Sequence, residues 1–143
     1  MGYLPAIATG LLFLSNPRME PLQEITVNVN PEYLKDQSDP AQDQYVFAYT
    51  VQMQNTGNIP ARLLTRHWII TDAEGKTQEV RGPGVVGEHP RLQPGERYEY
   101  TSGAILPTPV GSMMGSYQMR DDEGGLFDAV IPAFTLSAEV VFH

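Results

Sequence analysis

Residues Tyr45 to Gln54 alternate between large apolar side chains and smaller or polar ones, and this period of two constrains the fold most. Such alternation is typical of a half-buried β-strand, because successive side chains point to opposite faces of a sheet. The same pattern recurs along the chain, whereas a helical period is almost absent. The strands predicted in this way are 24–30, 45–54, 61–71, 76–80, 97–104, 112–120, 127–131 and 134–142.

Glycine, proline and acidic turn signals separate these segments. We expect Pro31 to end the first strand and Pro132 to interrupt the last one, because proline removes a ladder donor. Asp72–Gly75 and Asp121–Gly125 are predicted to form hairpin tips. In the third strand, we expect Leu64, Arg66, Trp68 and Ile70 to share one face, with Trp68 as a core residue.

About eight short strands joined by turns predict an all-β fold, an antiparallel β-sandwich of about seven to eight strands. The chain has no cysteine, so the Cys…Trp…Cys pattern of a true immunoglobulin domain is absent. An immunoglobulin-like sandwich of the fibronectin-type-III kind is therefore the better prediction.

Composition narrows the function further. A chain of 143 residues predicts a single domain, and the formal net charge of −8 disfavours binding to nucleic acid or to an anionic membrane surface. No apolar run approaches the ~20 residues of a membrane span. The lack of cysteine excludes disulfides and thiolate chemistry and fits a reducing compartment.

Residues 1–18 differ from the rest of the chain. They contain the apolar patch Leu11–Leu14 but no basic residue before Arg18, which disfavours a secretory signal. We expect this segment to be a non-native or disordered N-terminal extension, and residues 19–143 to form the domain.

The stretch Arg81–Pro90 is the richest in glycine and proline. Gly82, Gly84 and Gly87 fit the spacing of a dinucleotide fingerprint, but Pro83 and the Glu88-His89-Pro90 exit do not start a helix. Turn glycines are therefore the simpler interpretation. The alternative is a phosphate site formed by the glycine amides and Arg81, with His89 beside it. Arg81 could instead pair with a nearby carboxylate such as Glu88.

Several motifs together resemble those of the bacterial ApaG family, over about residues 24–136. They are Arg66–Asp72, Val80–Gly87, Leu92–Glu96, Tyr98–Gly103, Pro107–Met113 and Gly115–Met119. The resemblance implies a fibronectin-type-III-like sandwich in a bacterial cytoplasmic protein associated with cobalt and magnesium resistance. Related domains occur in F-box proteins and in a polymerase-delta-interacting protein, which implies a role in protein binding. A chain starting at Met19 would have the family's usual length.

The residues show no catalytic motif. A Ser or Thr nucleophile would need a base among His67, His89 and His143, and no hydrolase or zinc-protease spacing surrounds them. The acidic residues of 36–43 and 121–123 lack the spacing of a calcium loop, so no metal site and no cofactor are predicted.

We therefore expect a non-enzymatic module that binds an unknown protein partner. The family resemblance implies that it acts indirectly in Co²⁺/Mg²⁺ homeostasis. The apolar loop residues Val85-Val86 and 106–110 are candidate contact points, unless they cap the ends of the sandwich. The alternative is a sensor that binds a phosphorylated small ligand or nucleotide at residues 81–89.

Overall fold

The computed structural model describes residues 20–138, so the predictions for residues 1–18, Met19 and the end of the chain lie outside the described part. Eight strands follow one another, with two short 3-10 turns (Lys35–Gln37 and Pro40–Gln42) after the first. The strands are β1 (Ile25–Tyr33), β2 (Tyr45–Asn55), β3 (Ala61–Asp72), β4 (Thr77–Pro83), β5 (Arg91–Leu92), β6 (Arg97–Leu106), β7 (Val110–Asp121) and β8 (Leu126–Ser137).

The strands form two antiparallel sheets, which confirms the predicted β-sandwich. One sheet has the order β1-β2-β6, and the other has the order β4-β3-β7-β8 with β5 also paired to β3. The inward side chains of both sheets form one hydrophobic core. Its centre is aromatic, since the ring of Trp68 lies 5.2 Å from that of Tyr49, 6.0 Å from Phe134 and 6.3 Å from Tyr117. Trp68 is 2% exposed, so its predicted role as a core residue is confirmed.

Two prolines do not end strands where the sequence pattern placed those ends. β1 continues through Pro31 to Tyr33, and β8 runs unbroken through Pro132. The backbone amides of Thr56 and Gly57 donate to the Glu24 carbonyl, so the even-numbered residues of β1 are the ones that bond to β2. The backbone of residue 31 therefore faces away from β2. Proline removes no ladder bond there.

Pro132 lies in a β-bulge. Met113 is paired with Phe134 and Gly115 with Ile131, so Pro132 and Ala133 together lie opposite Met114. A bulge accommodates proline because its extra residue makes no ladder bond.

A second bulge corrects the predicted phase of β3. Leu63 is paired with Met119 and Thr65 with Gln118, which leaves Leu64 as an extra residue in β3. Leu63 is therefore buried before the bulge and Trp68 after it, although their positions differ in parity. Leu64 does not share the core face of Trp68 as the simple alternation predicted.

The two lateral edges of the sandwich differ. β1 and β8 pack against each other and close one edge. At the other edge, β4 and β6 are the outermost strands of their sheets, and a groove lies between them. β4 also extends farther than predicted, because Arg81, Gly82 and Pro83 continue the strand instead of starting the loop.

Candidate functional site

The open edge holds a groove with a cavity volume of about 370 Å³. Trp68 and Tyr49 come from the two facing sheets, and Val80 and Ile105 come from the bordering strands β4 and β6. A second depression shares Ile70, Gln78 and Ile105 with this groove and extends it toward Lys76 and Pro107. The full lining of the main groove is Tyr49, Arg66, Trp68, Ile70, Gln78, Val80, Ser102, Gly103, Ala104, Ile105 and Met113.

Arg66 is the only cationic residue of this lining, and the glycine-rich segment holds it in place. Its Nη1 donates to the carbonyl oxygens of Pro83 at 2.8 Å and Gly84 at 2.9 Å. A Cβ atom on Gly82 would lie 2.8 Å from Nη2, so the glycine leaves the space that the guanidinium occupies. Among the residues that the structure describes, no carboxylate pairs with Arg66.

Three buried or half-buried phenols lie near this guanidinium. Burial raises the pKa of Tyr49, while the Ser102 hydroxyl and the Arg66 charge lower it by smaller amounts. Burial also raises the pKa values of Tyr100 and Tyr117, whose hydroxyl groups share a short hydrogen bond. The Arg66 charge opposes both shifts. The phenols are therefore neutral hydrogen-bonding groups at physiological pH.

The glycine-rich loop begins at the Arg66 end of the groove. Val85 and Glu88 exchange two backbone hydrogen bonds of 2.9 and 2.8 Å around Val86 and Gly87, whose φ angles are 42° and 81°. Positive φ at both central residues is the geometry of a type I′ hairpin turn. Val85 is 1% exposed and belongs to the core. Val85 therefore anchors the loop to the core, while Val86 in the turn is 58% exposed.

The glycine-rich loop has one electrostatic effect on β6, at Tyr98. Burial, and next the nearby Glu88 carboxylate, raise the pKa of Tyr98.

The predicted site residues do not all converge. Arg81 lies on β4 with its side chain 69% exposed, and its Nη2 is 3.9 Å from the Glu79 carboxylate instead of pairing with Glu88. The Gly84 amide donates to the Leu64 carbonyl, while a side chain on Gly87 would meet open space.

His89 lies near Gly84. Its Nδ1 is 3.2 Å from the Leu63 carbonyl oxygen, and a Cβ on Gly84 would lie 3.2 Å from its Nε2. The structure thus brings His89, Gly82 and Gly84 close to the Arg66 segment and leaves Arg81 on the outer strand.

Sequence reasoning missed Arg66 and Ser102 as site residues. The usable signal was the position of Arg66 two residues before Trp68, on the strand face assigned to the core. A cation on a core-facing position needs a special environment. Here the environment is the pair of loop carbonyls.

Asp121 and Asp122 at the acidic hairpin tip are held by local hydrogen bonds and an ion pair. Asp121 accepts hydrogen bonds from the amides of Glu123 and Gly125 and from the Gln23 side chain. Asp122 pairs with Arg91 through Nη2 at 2.5 Å. Over residues 20–138, no group of three or more His, Cys, Asp or Glu side chains is placed to hold a metal ion. The same residues include no helix long and apolar enough to cross a membrane.

Comparison with known proteins identifies the family. The model of the ApaG domain matches residues 35–121. The chain belongs to the ApaG family. It is 57% identical over 120 residues to Protein ApaG of Thiobacillus denitrificans, with 84% of this chain and 94% of that protein covered. Protein ApaG of Pseudomonas aeruginosa is 54% identical over 120 residues, with 84% and 95% covered.

A solved structure supports the fold. The crystal structure of the putative ApaA protein from Bordetella pertussis matches with a TM-score of 0.79 and 55% sequence identity, covering 80% of this chain and 94% of that chain. The family and the sandwich that the residue motifs predicted are thus both confirmed.

Proposed function

We propose that this ApaG-family chain is a non-enzymatic protein-interaction module that receives an extended segment of a partner protein along β6. The observation that carries the proposal is the juxtaposition of a free sheet edge with an apolar groove at the open side of the sandwich. Extended peptides commonly bind in this way, because main-chain hydrogen bonds supply affinity and side-chain pockets supply specificity.

The hydrogen-bonding phase of β6 supports this use of its edge. The Asn55 amide donates to the Glu96 carbonyl, so even-numbered residues of β6 bond to β2. The backbone groups of the odd-numbered residues, including Thr101, Gly103 and Ile105, therefore point away from β2 toward the open edge. A partner strand would find these groups available.

This edge lacks the features that usually prevent pairing. Natural edge strands are protected by charges, prolines or bulges. Residues 101–106 contain none of the charged types and no proline, and the Ile105 side chain is 65% exposed. Across the groove, the outer row of β4 carries Glu79, Arg81 and Pro83 and is protected. A partner strand is therefore expected to pair with β6 and not with β4.

The histidine environments support a non-enzymatic role. His67 Nε2 is 2.8 Å from the Glu79 carboxylate, and His89 Nδ1 is near a backbone carbonyl. Within the described part of the chain, neither imidazole contacts a serine or threonine hydroxyl.

We infer that the chain acts in the cytoplasm and contributes indirectly to Co²⁺/Mg²⁺ homeostasis, through its partner and not through a bound cation.

A second candidate function is binding of a phosphorylated small ligand at residues 81–89. The exposed Arg81 guanidinium and the open space at Gly87 favour it. An amide NMR titration with pyrophosphate tests this candidate. Saturable shifts at Gly82, Gly84 and Gly87 would support it, and their absence at millimolar ligand would overturn it.

The interaction proposal is tested by site-specific photocrosslinking in bacterial cells. A benzophenone amino acid replaces Ile105 in one variant and Val130 in another, because their exposed fractions match at 65% and 66%. We expect a discrete protein adduct from position 105 only. The same adducts from both positions, or none from position 105, would contradict the proposal.

A proline substitution provides the control for strand pairing. Thr101→Pro removes an amide that faces the open edge, whereas Glu79→Pro removes an outward amide of β4. Since both amides lie outside the interstrand ladders, both variants are expected to fold. We expect only Thr101→Pro to abolish the adduct at position 105.

A further inference from the structure

We propose that the groove captures the free C-terminus of its partner, with the terminal carboxylate on Arg66 and the neighbouring aliphatic side chain beside the half-buried Ile70 and Val80. This inference deepens the proposed function and depends on it. It names the chemistry of the partner segment, which the pairing edge alone does not specify.

The first argument for this proposal is the charge of the groove. Arg66 is half-buried, and the described residues give it only backbone carbonyl partners. The chain contains 17 acidic residues, yet none of those described pairs with this guanidinium. Arginine binds carboxylates in charge-assisted hydrogen bonds, which strengthen as water is excluded. The groove therefore lacks one anion at a defined point.

The second argument is the shape of the groove. At the Arg66 end, the carbonyls of Pro83 and Gly84 accept hydrogen bonds from the guanidinium and Val85 inserts into the core, so the backbone of this segment bounds the groove there. The opposite end continues past Ile105 toward Lys76 and Pro107. A chain passing through would have to cross the loop, whereas a chain that ends at Arg66 would not. This geometry favours a C-terminus over an internal acidic residue.

The strand direction follows from the same placement. Arg66 and Ser102 lie at the closed end, and Ile105 lies toward the open end. A partner that enters from the open end and terminates at Arg66 runs antiparallel to β6. Its last residues then face Ile70 and Val80, which favour an aliphatic side chain.

The test uses a display library of random short peptides with free C-termini, screened against the purified chain. Selected peptides are then synthesised as the free acid and as the C-terminal amide. Binding is followed by the fluorescence of Trp68, the only tryptophan of the chain, which lines the groove. We expect aliphatic residues at the selected C-terminus and on the order of 10- to 100-fold weaker binding of the amide, because one charge-assisted contact is lost.

Comparing acid and amide changes only the peptide, so the result does not depend on the folding of a variant. In the protein, Arg66→Gln is expected to reduce the preference for the acid, and Arg66→Lys to restore part of it. Arg120→Gln removes an exposed charge on β7 and serves as the matched control, with unchanged preference expected.

The outcomes separate the two proposals. If acid and amide bind equally and Thr101→Pro abolishes both, the carboxylate inference is wrong and strand docking stands. If an acidic side chain inside the peptide replaces the free C-terminus without loss, the inference is also wrong. If Thr101→Pro has no effect on any selected peptide, or if no peptide is selected, docking on β6 fails and the inference fails with it.

Discussion

The two edges of the sandwich differ in how their outermost strands are covered. At the β1–β8 edge the strands pack together, and each carries a proline at a position outside the ladder, Pro31 in β1 and Pro132 in β8. At the β4–β6 edge the strands stand apart around a groove that contains a guanidinium and two aromatic rings.

The difference suggests separate roles for the two edges: the closed edge contributes to stability and the open edge to binding. The closed edge buries aliphatic side chains such as Ile25 and Ile131 and protects its outer strands from pairing. The open edge leaves the half-buried Ile70 and Val80 and an unprotected β6 accessible. Substitutions at the closed edge should therefore change stability, and substitutions along the open rim should change binding.

Removal of the residue beneath the groove should have the largest effect. Trp68→Ala is expected to lower the free energy of unfolding by about 3–5 kcal/mol, because it removes a large ring that packs on Tyr49, Tyr117 and Phe134. Urea denaturation measures this change. A loss under about 1 kcal/mol would show that the floor of the groove is not part of the core.

A pair of isoleucines compares the edges directly. Ile131→Ala in β8 is expected to cost about 2–5 kcal/mol, because the side chain is 1% exposed. Ile105→Ala in β6 is expected to change stability by about 0.5 kcal/mol or less, because the side chain is 65% exposed. Both values come from the same denaturation experiment. Similar costs at the two positions would remove the distinction between the edges.

The hydroxyl pair behind the groove predicts a non-additive result. Tyr117→Phe should cost about 1–3 kcal/mol, because it leaves the Tyr100 hydroxyl buried without its partner. The double variant Tyr100→Phe/Tyr117→Phe should cost less than that single variant, since neither unsatisfied hydroxyl remains. A double-mutant cycle of unfolding free energies checks this. Additive costs would mean that the two hydroxyls do not depend on each other.

The same tyrosines predict the alkaline limit of stability. Burial raises the pKa values of Tyr100 and Tyr117 above the ordinary value of 10.0, so the folded state favours the neutral phenols. Their contribution is fully present below about pH 10 and is lost as the pH rises toward the folded-state pKa values. The free energy of unfolding should be level between about pH 7 and pH 9 and fall above about pH 10. The double phenylalanine variant should show a shallower fall.

Most of the fold was predictable from the sequence, because alternation and turn residues are local signals. The hairpins at Asp72–Gly75 and Asp121–Gly125 are confirmed, with Gly75 and Gly124 at φ 83° and 86°. The strand ends near Pro31 and Pro132 were wrong, because the effect of a proline depends on whether its backbone faces a neighbouring strand. That information belongs to the sheet and not to the local sequence.

The candidate site was less predictable than the fold. The sequence directed attention to Arg81 and the glycines, but the bulge at Leu64 and the pairing of Arg66 with Gly82 decide which arginine lies in the groove. Both depend on the register between strands. The glycine spacing was informative in another way, since Gly82 leaves room for Arg66 and Gly84 for His89. Phosphate binding by this segment remains a prediction.

The glycine-rich loop beside the open edge gives the smallest expected effect. Val86 is a β-branched residue at φ 42° in a turn that favours asparagine followed by glycine, and its side chain is 58% exposed. Val86→Asn should therefore stabilise the fold by about 1 kcal/mol, because asparagine tolerates the left-handed conformation and no buried contact is lost. Urea denaturation measures the gain, and Val86→Ala is the control that shortens the side chain without favouring the turn.

The consequence for binding sharpens the comparison of the two edges. If recognition uses only β6 and the groove, Val86→Asn should raise stability and leave the adduct at position 105 unchanged. Loss of that adduct in the stabilised variant would place Val86 in the contact surface. The strained valine would then be retained for binding at the expense of stability, as strained residues at functional sites often are.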